Sequence, residues 1–140
     1  MAGFIGAFGT HVLTQSRERE KWILDCKKQE YRELLDTLSE SYSLAASIPV
    51  PSRAENYNHI ANGVNKFVRI SNDRIFIVYD PDLNSLCLRW SNLVSAYRTR
   101  AVNIDELIKQ YESIHDEIVM AANRAVPKTT WQRLQFWKHQ

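Results

Sequence analysis

Apolar side chains recur every three or four positions through most of this chain, the spacing that lines one face of an α-helix. The first stripe passes through Ile23, Cys26, Tyr31, Leu34, Leu35, Leu38, Tyr42 and Ala45. No Gly or Pro interrupts the stretch from Thr14 to Ala46, so the pattern predicts one long helix there. At 1.5 Å per residue it would measure roughly 45–50 Å. The later helices are shorter, so its first turns are expected to project beyond any bundle they build. Ile48-Pro49-Val50-Pro51 ends it, because proline lacks the N–H donor and forces its predecessor towards extended geometry. Ser52 is placed to cap a second helix over about Arg53–Ile70, with Tyr57, Ile60, Val64, Phe67 and Val68 on its apolar face. Asn62-Gly63 lies within that stripe. The pair can form a hairpin turn, but the three-and-four spacing runs straight through it, and a helix is expected at a glycine cost of about 1 kcal/mol.

Ser71-Asn72-Asp73-Arg74 is a turn-like cluster. The five residues after it, Ile75-Phe76-Ile77-Val78-Tyr79, have β-type composition. One such run has no second strand to pair with, so it is expected to be an extended or irregular connector that plugs the end of the core. Its use as a dimer edge is the alternative. Asp80-Pro81 then opens a third helix, with Asp as N-cap and Pro in the first helical position. Its stripe is Leu83, Leu86, Trp90, Leu93, Val94 and Tyr97. Asn103 and Glu106 have capping-box spacing and start a fourth helix, with Leu107, Tyr111, Ile114, Ile118, Ala121 and Ala122 facing inward until Pro127. A short amphipathic helix is expected in 128–140, capped by Thr130.

Four amphipathic helices with short connections pack most simply as an antiparallel up-and-down bundle, so the expected class is all-α. Only four Gly and four Pro occur in 140 residues, which disfavours turn-rich β-architectures. The division is an apolar segment over 1–14, the bundle over 15–127 and an aromatic, basic segment over 128–140. With an even number of antiparallel helices, both chain ends belong to one pole.

That placement matters because both ends carry membrane-type signals. Met1–Thr14 holds Phe4, Ile5, Phe8, Val12 and Leu13 and no Asp, Glu, Lys or Arg. It is about a third short of a span, and Arg17, Arg19 and Lys21 follow as a basic flank. The segment reads either as the end portion of a transmembrane helix or as an apolar helix start packed on its own domain. At the other end Trp131, Leu134 and Trp137 share a helix face beside Lys128, Arg133 and Lys138, a composition suited to a lipid interface or to the floor of a bundle core.

Candidate chemistry is sparse. Glu112 and His115 have the Glu-x-x-His spacing of carboxylate-bridged metal bundles, but the nearest second candidate, Glu55 with His59, is one residue too long, and the third helix has no Glu. Gly3, Gly6 and Gly9 follow no strand and form no phosphate loop; they suit close helix packing. Cys26 and Cys87 lack metal or redox spacing and read as reduced structural thiols, with Cys26 on the buried stripe. Net charge is +2, and Arg17, Arg19, Lys21, Lys27, Lys28 and Arg32 alternate with Glu18, Glu20, Asp25, Glu30 and Glu33, so no focused positive field exists for nucleic acid. No cofactor, metal or small-molecule site is expected.

The run Thr14-Gln15-Ser16-Arg17-Glu18-Arg19-Glu20-Lys21-Trp22, followed by Asp25, Lys27, Lys28, Tyr31 and Leu34, resembles small bacterial proteins with one amino-terminal transmembrane helix, a charged juxtamembrane helix and a helical bundle. The resemblance covers about a quarter of the chain. It implies a membrane anchor with the bulk of the chain cytoplasmic, and no activity. The leading expectation is therefore a non-enzymatic bundle at the membrane face, acting through protein contacts. The alternative is a soluble homo-oligomer or partner-binding protein with no membrane role, its long first helix serving as a coiled-coil arm. A carboxylate–histidine metal bundle is a distant third.

Overall fold

The computed structural model of the chain describes the backbone of residues 3–48 and 54–125, and the side chains of 14–48 and 56–125. The described residues form four helices: α1 (Gly3–Ser47), α2 (Ala54–Asp73), α3 (Pro81–Arg98) and α4 (Ile104–Ala125). Each packs on its neighbours in chain order and α4 closes back on α1, so α1 and α3 face each other across a diagonal. This is the all-α antiparallel bundle that the periodicity predicts. Ser52, Pro127 and the expected helix in 128–140 lie outside the described residues.

The stripes meet in one core. Tyr31, Leu34, Leu38, Ile60, Phe67, Leu83, Trp90, Leu107, Ile114 and Ile118 are all essentially inaccessible. Trp90 is the largest fully buried side chain, and its indole N–H donates to the buried Ser41 hydroxyl across the diagonal at 2.9 Å. Indole burial leaves a donor that needs an acceptor, and Ser41 supplies it on an otherwise apolar face of α1. Beside it, Tyr42 and Tyr111 stack at 4.2 Å between centroids, and the Tyr111 hydroxyl lies 3.0 Å from Ser39 Oγ. Gly63 is helical, and it allows close approach. A Cβ there would lie 2.9 Å from Leu44 Cδ1 and 3.3 Å from the Ser41 Cα.

The caps follow the sequence signals. Asp80, extended at φ −93° and ψ 105°, accepts from the Asp82 N–H at 3.0 Å. Asn103 Oδ1 accepts from the Glu106 N–H at 2.9 Å, while Glu106 itself turns forward to Gln110 at 2.8 Å, so only half of the expected capping box forms. The end of α3 is a Schellman turn. Ala101 N–H donates to Ala96 O and Arg100 N–H to Tyr97 O, with Arg100 at φ 61° in the place glycine commonly holds.

Residues 75–79 take the irregular form of the expected connector, not the extended one. They form a tight turn in which Val78 N–H reaches Arg74 O at 3.0 Å and Asp80 N–H reaches Ile77 O at 2.9 Å. Among the described residues there is no strand. Only Ile77 plugs the core; Ile75 is 69% exposed and Tyr79 85% exposed. β-type composition without a partner strand leaves the backbone free to satisfy its own hydrogen bonds locally.

The transmembrane expectation is overturned. Among the described residues no helix is long and apolar enough to cross a membrane. The physical reason is visible in α1, where Arg17, Glu18, Arg19, Glu20 and Lys21 interrupt the apolar stretch before it reaches the roughly 20 residues a span needs.

Candidate contact surface

The length of α1 creates the one large unpartnered surface of the described molecule. The end of α2 and the last described residue of α4, Ala125, both meet α1 at one level. The Phe76 N–H donates to Glu30 Oε2 at 2.8 Å, Arg74 pairs with Glu33, and Lys27 Nζ reaches the carbonyl of Ala125 at 3.4 Å. Lys27 also stands over the Phe76 ring, 5.4 Å from its centroid. An ammonium at the carboxyl end of α4 is favoured by that helix's dipole. Lys27, Glu30 and Glu33 thus fasten the α2–α3 turn and the end of α4 to one level of α1. Tyr31 sits inside this collar, where burial, reinforced by the Asp80 charge, pushes its phenol up to about 12.

Below the collar α1 continues for roughly 35 Å, at 1.5 Å per residue down to Gly3, with no other helix of the described residues beside it. Every residue from Thr14 to Trp22 is exposed, and Trp22 keeps 65% of its surface in solvent. Arg17, Arg19 and Lys21 therefore lie along the arm, with Glu18 and Glu20 between them. Phe4, Ile5, Phe8, Val12 and Leu13 fall on its helical backbone, but their side chains lie outside the described residues, as do Trp131, Leu134 and Trp137 entirely. The expectation that one surface gathers both sets is accordingly carried only as far as α1 and Ala125, which do share a pole.

The arm has a defined side. Trp22, Ile23 and Cys26 stand about five helical turns below Glu40, Ser41 and Leu44, and so on the same side of α1. Glu40, Ser41 and Leu44 are where α2 packs, through the Lys66–Glu40 ion pair and the close approach of Gly63. Among the described residues the lane that α2 fills in the bundle has no helix below the turn, and Trp22, Ile23 and Cys26 lie along it on α1.

Cys26 corrects an expectation. It is half-buried at the base of the arm, whereas Cys87 is the buried thiol, 3% exposed, and burial raises its pKa. Both are free. A thiol-specific chromogenic reagent at neutral pH is expected to titrate one cysteine in the native protein and two in denaturant. Removal of the fast-reacting thiol by Cys26→Ser is the check, and fast reaction of both would contradict the burial of Cys87.

The remaining polar clusters are internally matched. An open cleft of about 210 Å³ between α3 and α4 is edged by Asp82, Ser85, Glu117, Met120 and Arg124. Its acids face arginines: Glu117 bonds Arg89 at 2.7 Å and Asp82 lies 3.7 Å from Arg124. The Arg89 hydrogen bond holds the Glu117 carboxyl below its ordinary value. His115 sits beside Asp116 at 3.5 Å and tilts against Tyr111, while His59 is exposed on α2 and the Glu55 side chain lies outside the described residues. Among the described residues no three His, Cys, Asp or Glu converge as metal ligands.

The sequence already contained the signal for the lane, since the spacing from 22, 23 and 26 to 40, 41 and 44 is a multiple of the helical repeat. What it could not show was where α2 would stop. Compared with family models, curated proteins and solved structures, the chain matches none.

Proposed function

We propose that this chain is a non-enzymatic protein-contact module, in which the bundle is the rigid base and the projecting arm of α1 is the contact element. The observation that carries this reading is the arm itself. It is a helix continuing roughly 35 Å past its last packed helix among the described residues, with the apolar Trp22 largely exposed. Helices are marginal in water without a packed face, because each ordered residue must offset its conformational entropy. Gly3, Gly6 and Gly9 add about 1 kcal/mol each against helix within the arm. A second protein surface against the arm supplies the missing packing, and small residues let that surface come close. The paired charges of the α3–α4 cleft, Glu117 with Arg89 and Asp82 with Arg124, support contact over catalysis.

A photo-reactive amino acid placed at Gln15 tests this in the cells that make the protein, with Asn65 on the outer face of α2 as control; both positions are exposed. Irradiation is expected to give discrete protein adducts from position 15 and none from position 65. Absence of adducts at 15, or the same adducts from both, would refute the arm as the contact element.

A further inference from the structure

We draw no further inference here: the strongest candidate, the surface patch of exposed apolar side chains formed by Trp22 on the arm of α1 with Ile75 and Tyr79 on the α2–α3 turn, carries none because nothing in the structure shows what covers it.

Discussion

Trp90→Ala is expected to cost about 4–5 kcal/mol of folding free energy, the upper range for deleting a large buried aromatic. Trp90 has no accessible surface, sits on the diagonal between α3 and α1, and also tilts against Tyr111 at 6.2 Å. Four helices close around it, so no single helix can slide in to refill the space without losing its other contacts. The substitution also strands the Ser41 hydroxyl, which loses its indole donor. Against a total stability of about 5–15 kcal/mol for a domain of this kind, the variant stands near its threshold. Urea denaturation followed by circular dichroism should show the midpoint falling with the slope retained, and heating should show a melting temperature lower by about 15 °C. A loss below about 2 kcal/mol would mean that the core relaxes around the missing ring, and that Trp90 is not its keystone. Trp90→Phe separates the two contributions. It keeps most of the volume and removes the N–H, and its cycle with Ser41→Ala should return a coupling of about 1 kcal/mol.

Trp90 also shows how much of this molecule was readable before the structure. Its position on a three-and-four stripe with Leu83, Leu86 and Val94 placed it in the core, and the same argument placed Tyr31, Ile60, Phe67, Ile114 and Ile118. Helix periodicity reports burial well because one face of an amphipathic helix must find cover. Ser41 was not foreseen, since a serine on an apolar stripe identifies itself only through the donor that reaches it from another helix. Residues 75–79 were only partly legible. Ile77 plugs the core as expected, but β-type composition in a run of five specifies apolar character without specifying a backbone path. The transmembrane expectation failed because the apolar turns of α1 give way to charged turns from Arg17 onward, short of the roughly 20 apolar residues a span needs. The candidate surface was half legible. The projection of α1 followed from counting residues per helix, and the side of the arm that matters followed only once the Glu30, Glu33 and Lys27 contacts fixed the level at which the α2–α3 turn and Ala125 meet α1.

Gly63→Leu is expected to cost about 3 kcal/mol, with the sign set by backbone contact and not by helix propensity. On propensity alone any such change in a helix interior is favourable, by about 1 kcal/mol for leucine or alanine. At Gly63, however, the first added carbon already meets Leu44 Cδ1 at 2.9 Å and the Ser41 Cα at 3.3 Å. The Leu44 contact is with the far end of a flexible side chain, which can rotate. The Ser41 contact is with the backbone of α1, which cannot move without carrying Tyr42 and Ala45 along. Gly63→Ala should therefore stay within about 1 kcal/mol of the wild type, the small clash offsetting the gain. Leucine has three more carbons to place between helices already in contact, and must push α2 outward. The same Ser41 anchors the Trp90 indole, so the displacement reaches the centre of the core, and Gly63→Leu with Trp90→Phe should lose less than the sum of the single variants. Denaturation midpoints for the four proteins measure this directly. Strict additivity would show that Gly63 and Trp90 act on α1 independently, and a stabilised Gly63→Leu would show that α2 does not approach α1 as closely as the fold requires.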